Sequence, residues 1–321
     1  MSQNPWHPLR ATVECVSVSA TRFALLSLVV FALLAPDVAA AQNGRVLNGL
    51  SAEAFLLLDP FGKPVFAKNA DEDHAPASLV KMMSLYLAYE DVERGRAHLE
   101  DLVYISRHAV LTPRYRMGLR LGDEVPLRVV MEGVAIASAN DAATALAEHL
   151  GGDEALFVAR MNDKAREIGL THTRFANPHG LPDPIQRTNA RDMATLIGRL
   201  LTDHPDARTM LGGQTFVYAG RVYARHISLF RDPGGVQALK TGFTREAGYN
   251  LAVSAWRNGQ QFLMIVLGAS TRQNSFLDAK KLLRHGFVEA GLEEPEPERP
   301  RTGPTRGKPK KLRTKRAAVS R

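Results

Sequence analysis

Apolar positions change their spacing along the chain, and each change marks a structural unit. Residues 53–59 are mostly apolar, Pro60-Phe61-Gly62-Lys63 supplies a turn, and 64–68 continue the run, which is the pattern of a β-hairpin. Beyond Ala75-Pro76-Ala77-Ser78, the side chains Leu79, Val80, Met82, Met83, Leu85, Tyr86, Leu87 and Tyr89 fall on nearly every face of a helix. A helix that is apolar all round is buried. Pro76 near its start and Gly95 past its end bound it.

Residues 97–210 read as mainly helical. Helices over 127–138 and 142–150 meet at a Ser138-Ala139-Asn140 corner, Gly151-Gly152 stops the second, and 153–169 form another amphipathic helix. Asn177-Pro178-His179-Gly180-Leu181-Pro182 is a loop by its turn residues, and a helix resumes over 192–201. From Phe216 the period shifts towards strand, with strands predicted at 235–243, 249–256 and 262–268. Asn258-Gly259 favours a hairpin turn between the last two. Positions 262–267 are apolar without alternation, so both faces of that strand are expected to be covered. A final helix is predicted over 276–290. The sum is an α/β (α+β) fold: an antiparallel sheet built from strands at both ends of the domain, helices on its faces, and a large helical insertion.

The two ends stand apart from this pattern. Arg10 and Arg22 precede an apolar run over 23–34, followed by Pro36 and Ala39-Ala40-Ala41, so residues 1–41 read as a secretory signal peptide. The alternative is an uncleaved anchor, although the run is short for a membrane span. The only cysteine, Cys15, lies in this leader, so the mature chain has no disulfide, thiol nucleophile or thiolate metal site. Residues 42–292 form the expected catalytic domain. Residues 293–321 form a basic, Pro-rich tail whose composition cannot bury a core. After Glu298 there are ten Lys or Arg and no acid, so the net charge of +8 falls to about −2 for everything before it. The basicity belongs to the tail.

Three strings carry candidate chemistry. In Ser78-Leu79-Val80-Lys81 the amine lies within reach of the hydroxyl, because positions three apart share a helix face. Burial disfavours a charged lysine, which suits Lys81 to act as a base on Ser78. A Ser78 N–H at the helix start also suits a developing oxyanion. Ser138 and Asn140 flank the break between two helices. There they can relay a proton and hold a substrate carbonyl, or simply cap a helix. Lys240-Thr241-Gly242, near the end of a predicted edge strand, offers a cation and a hydroxyl for a carboxylate, with Gly242 permitting close backbone approach. No metal or cofactor is expected. His172 and His179 with Asp183 match no ligand template, and His179 between Pro178 and Gly180 is expected to hold a loop in place.

With these strings in order, the chain resembles the serine-type D-alanyl-D-alanine carboxypeptidases, the low-molecular-mass penicillin-binding proteins of the β-lactamase/transpeptidase-like superfamily. The likeness extends through Pro76 to Met83, Ser138 to Ala142, Asn177 to Pro182, Lys240 to Thr244 and Ala247 to Leu251. It implies that Ser78 attacks the penultimate D-Ala carbonyl of peptidoglycan stem peptides, with Lys81 as base, Ser138 relaying the proton and Asn140 positioning the substrate. Lys240 and Thr241 receive the terminal carboxylate. The N–H groups of Ser78 and Phe243 form the oxyanion hole, and β-lactams acylate the same serine. The implied role is peptidoglycan maturation and cell-shape control in the periplasm. Phe243 stands where the family often has His, and Ser270 where some members have a carboxylate-binding arginine, with Arg272 two residues on. Many relatives carry a second β-rich domain and an amphipathic anchor where this chain has its basic tail.

Two rival readings remain. A class A β-lactamase shares the strings, but between Asn140 and Lys240 no deacylating Glu loop is evident. A non-catalytic wall-binding protein would use the tail on an anionic membrane or wall surface. Nucleic acid is not an expected partner for an exported chain.

Overall fold

In the computed structural model, residues 45 and 47–293 are described. The predicted leader, and the tail beyond Glu293, lie outside them. The apolar run at the start of the domain becomes β1 (Ala54–Leu58), which pairs with β2 (Pro64–Lys68) as the expected hairpin. A short 3₁₀ turn, Ala77–Val80, leads into α1 (Lys81–Glu93). Every residue of α1 from Lys81 to Asp91 is buried, as an all-round apolar pattern requires.

The insertion holds β3 (Leu102–Tyr104), α2 (Arg107–Leu111), β4 (Glu124–Pro126), α3 (Leu127–Ala135), α4 (Asn140–Gly151), α5 (Glu154–Glu167), α6 (Ala190–Asp203) and α7 (Ala207–Gly212). Its helices start at side-chain caps where the sequence offers them. Asp153 accepts from the Leu156 N–H at 2.7 Å, and Asn189 accepts from the Asp192 N–H at 2.7 Å. The stretch is mainly helical as expected, with one small β3–β4 ribbon that the pattern did not predict. Each strand has three residues and only its central valine is buried, too few positions for a two-residue period to register.

A hairpin of β5 (Thr215–Tyr218) and β6 (Arg221–Ala224) leads to β7 (Val236–Thr244), β8 (Gly248–Arg257), β9 (Gln260–Ala269) and α8 (Arg272–Glu289). The main sheet runs β2-β1-β9-β8-β7, antiparallel throughout, so β9 is central and β7 is an edge. One face packs on the helical insertion through Leu56, Ala252, Ile265 and Leu267. The other packs on α8 through Leu57, Val253, Met264 and Phe287. This explains the unbroken apolar run over 262–267: both faces of β9 are covered. The edge position expected for Lys240-Thr241-Gly242 also holds, and it places that string beside the cleft between sheet and insertion.

Candidate active site

Ser78 lies inside the 3₁₀ turn and Lys81 is the first residue of α1. In a 3₁₀ turn, residues three apart eclipse one another, so the Lys81 Nζ donates to Ser78 Oγ at 3.1 Å. The approach to the turn is strained: Ala77 has φ +48°, a left-handed conformation unusual for a residue with a Cβ. The surroundings hold it there. Asn250 Nδ2 donates to Ala75 O at 2.9 Å and Pro76 O at 3.2 Å, while Asn250 Oδ1 accepts the Gly268 N–H at 2.9 Å. Two glycines press on the same backbone. A Cβ on Gly242 would lie 3.1 Å from the Ser78 nitrogen, and one on Gly180 would collide with the Ala77 carbonyl. Gly242 therefore allows the close approach its position implies.

Lys81 is fully buried and donates to three acceptors: Ser78 Oγ, Asn140 Oδ1 at 2.7 Å and the His179 carbonyl. Burial pulls its pKa down from 10.5 to about 7, opposed by the nearby Asp141 carboxylate. Asp141 is itself buried and accepts the N–H groups of Met117, Gly118 and Leu119 at 2.9–3.2 Å. Burial also lowers the His179 pKa to about 3, so its ring is neutral. Its place in the fold fits the expected loop-holding part. The loop is fixed from both sides, by Ser84 Oγ donating to Pro178 O at 2.7 Å and by Asn177 Oδ1 accepting the Gly180 N–H at 2.7 Å.

Ser138 has φ +55° between α3 and α4, and Asn140 is the first residue of α4. Neither acts as a side-chain helix cap here. Asn140 Nδ2 donates to Pro113 O at 3.0 Å and Arg114 O at 2.7 Å while its oxygen holds Lys81. Ser138 Oγ accepts from Lys240 Nζ at 2.7 Å. Among the described residues, this bond joins Ser138 to the second lysine, and none joins it to Lys81. The Lys240 amine thus holds the Ser138 hydroxyl at the cleft.

Lys240 is buried, and burial followed by the neighbouring Lys81 and Arg225 charges pushes its pKa well below the usual lysine value. Arg225 reaches inward from the segment after β6. It donates to the carbonyls of Gly213 at 2.7 Å and Leu239 at 2.9 Å, and also to Leu211, tying the residue before Lys240 to α7. Asn250 and Arg225 act on backbone that flanks the strings, at Ala75 and Pro76 ahead of Ser78 and at Leu239 ahead of Lys240. No motif spacing marks Arg225, since its partners are carbonyls scattered through the chain.

Ser78, Ser138, Thr241, Gly242 and Phe243 line one cleft of about 790 Å³. Phe243 is 42% exposed and stacks on Tyr249 with ring centroids 4.3 Å apart. Arg272, the first residue of α8, also lines the cleft, with its guanidinium 5.8 Å from the Phe276 ring. Ser270 instead accepts from Asn274 Nδ2 at 2.9 Å. Among the described residues no group of three His, Cys, Asp or Glu converges as metal ligands.

This arrangement has counterparts in known proteins. A family model described as D-alanyl-D-alanine carboxypeptidase, peptidase S11, matches residues 39–271. The chain is 36% identical over 263 residues to the D-alanyl-D-alanine carboxypeptidase DacC of Escherichia coli, covering 79% of this chain and 66% of that one. It thus spans about two thirds of that relative's length. Penicillin-binding protein 5 from Haemophilus influenzae superposes with a TM-score of 0.73 at 33% identity, over 76% of this chain and 73% of that one. Penicillin-binding protein D2 from Listeria monocytogenes, in its ampicillin-bound form, does so with a TM-score of 0.67 at 28% identity, over 76% and 100%. The β-lactamase/transpeptidase-like architecture read from the strings is the fold these proteins share. The match covers both the sheet and the insertion that enclose Ser78 and Lys81, and the chain belongs to the D-alanyl-D-alanine carboxypeptidase family of serine hydrolases.

Proposed function

We propose that this protein removes the terminal D-Ala from peptidoglycan stem peptides ending in D-Ala-D-Ala, through an acyl-enzyme on Ser78. The observation that carries the reading is the buried Lys81 amine, with its lowered pKa of about 7, set against Ser78 Oγ and held by Asn140. Ser78 Oγ attacks the carbonyl carbon of the penultimate D-Ala as its proton passes to neutral Lys81. The Ser78 and Phe243 N–H groups receive the oxyanion. The C–N bond then breaks, and the departing D-Ala amine takes the proton that Lys81 accepted, relayed by the Ser138 hydroxyl. This leaves Lys81 neutral to activate the hydrolytic water and Lys240 charged for the carboxylate. Thr241 and Lys240 receive the terminal carboxylate, Gly242 lets the substrate and Ser78 lie close to β7, and water hydrolyses the ester. β-Lactams would acylate the same hydroxyl.

The leader, read as a signal peptide, supports export to the periplasm and a part in cell-wall maturation. Among the described residues no helix is long and apolar enough to cross a membrane. Intact-mass analysis with and without benzylpenicillin tests the site directly. The wild-type protein is expected to gain one penicillin mass and the Ser78→Ala variant none, and D-Ala release from a D-Ala-D-Ala peptide is expected to disappear in the same variant. An adduct that survives Ser78→Ala would overturn the assignment. Turnover of penicillin in seconds, in place of a long-lived adduct, would make the protein a β-lactamase.

A further inference from the structure

The cleft is one-sided in charge. Among the described residues its lining holds Arg116, Arg221, Arg225, Arg272 and His226, and no carboxylate. Arg225 spends its N–H groups on carbonyls of the frame, so it offers little to a ligand. Arg116 and Arg221 differ. Both are exposed, Arg116 uses Nη1 on the Val110 carbonyl at 2.9 Å, and the Arg221 guanidinium lies 4.9 Å from the Tyr223 ring. Neither forms an ion pair among the described residues. Both also line an adjoining depression of about 550 Å³ that contains Arg114. Asp141 borders it too, but its oxygens are occupied by the backbone N–H groups of residues 117–119.

The pairing of these arginines is built. Asn140 holds the carbonyls of Pro113 and Arg114, which fixes the loop carrying Arg116. The Tyr223 hydroxyl donates to the Met117 carbonyl, which draws the β5–β6 hairpin, and Arg221 with it, to that loop. The arginines thus sit on the Asn140 side of the cleft. Lys240, the proposed partner of the terminal carboxylate, is held separately by Ser138 on β7. Two exposed guanidiniums without an ion pair among the described residues, lining a reaction cleft that lacks acids, suit an anionic group, and the planar fork suits a carboxylate.

We infer that Arg116 and Arg221, backed by Arg114, form a subsite for a second carboxylate on the acyl-donor peptide, upstream of the scissile D-Ala-D-Ala bond. This rests on the carboxypeptidase reading above. A stem peptide offers two such groups: the free α-carboxylate of a γ-linked glutamate at its second residue, and a side-chain carboxylate where the third residue is a dicarboxylic diamino acid. The subsite makes the protein selective for peptides that keep one of them unamidated.

Four matched pentapeptides ending in D-Ala-D-Ala, with each carboxylate free or amidated, test this with D-Ala release as the readout. One free carboxylate is expected to raise kcat/KM about tenfold over the fully amidated peptide, an effect that shrinks with added salt. In the double variant Arg116→Gln/Arg221→Gln that ratio should fall to near one. The penicillin adduct on Ser78 and the melting curve report that the variant is folded. Equal rates on all four peptides would overturn the proposal, as would a preference that survives in the double variant. If wild type forms the penicillin adduct but releases no D-Ala from any peptide, the carboxypeptidase reading falls and takes the subsite with it. Loss of the ratio with D-Ala release retained would separate the subsite from the catalytic reading.

Discussion

At the scale of single residues, the proton on Lys81 decides the chemistry. Its amine is buried against Ser78, and burial brings its pKa to about 7. Only the neutral amine can take the Ser78 proton, so acylation by penicillin should rise about tenfold per pH unit below about 7 and level off above it. The neighbouring His179 ring is neutral above about pH 3 and adds no step near 7. A pseudo-first-order labelling rate measured from pH 5.5 to 8.5 checks this, and a flat profile would remove Lys81 as the base. Lys81→Arg, which stays charged, should slow acylation by about 10²–10⁴-fold. Stability carries the same sign. Below about 7, Lys81 is protonated in the folded and unfolded chains alike, and the folded chain bears a buried cation. Between about 7 and 10.5 the unfolded chain binds the extra proton, so the Lys81 contribution rises with pH across that window.

At the scale of elements, the catalytic turn is held by segments distant in sequence, and this separates what could be read from the chain from what could not. The three strings were legible because serine, lysine and their spacing are chemical in themselves. The buried helix was legible because an all-round apolar pattern has one meaning. The strand that carries Lys240 followed from the shift of period after Phe216. The Lys240 partner of Ser138 was not legible, because the two residues are far apart in sequence and only packing brings them within hydrogen-bond reach. Arg225 was hidden for a related reason: a side chain that binds carbonyls leaves no pattern in its partners' identities. Gly180 lies between these cases. Its loop was visible, but its contact with Ala77 was not. Gly180 has φ +84°, and a Cβ there would collide with the carbonyl that precedes Ser78. Gly180→Ala should therefore cost about 1–3 kcal/mol in urea unfolding. It should also slow penicillin acylation, because the His179 carbonyl that holds Lys81 must move with the loop. A comparable Gly152→Ala change, at φ +82° with nothing within 4 Å, isolates the backbone cost. If both variants acylate at the wild-type rate, the loop does not position Lys81.

At the scale of the whole molecule, charge is divided between a near-neutral domain and a basic tail. Ten cations after Glu298, with no acid among them, leave about −2 for the rest of the chain. That tail lies outside the described residues, so its part is argued from composition. Each basic residue near an anionic surface contributes roughly 1 kcal/mol, and the attraction decays over about 8 Å at physiological salt. A cluster of this size should therefore hold the protein on anionic lipid at low salt and release it at high salt. The cleft bears the opposite demand, since its exposed arginines must remain available to a soluble peptide. Removal of residues 293–321 should abolish co-sedimentation with vesicles of phosphatidylglycerol at low ionic strength. It should leave the rate of penicillin acylation at Ser78 within about twofold, because no catalytic group comes from the tail. The full chain should lose the same binding as salt rises from about 0.01 M to 1 M, where the screening length falls from about 30 Å to 3 Å. Binding that persists at high salt, or in the truncated chain, would place the membrane contact on the folded domain and reduce the tail to a solubilising extension.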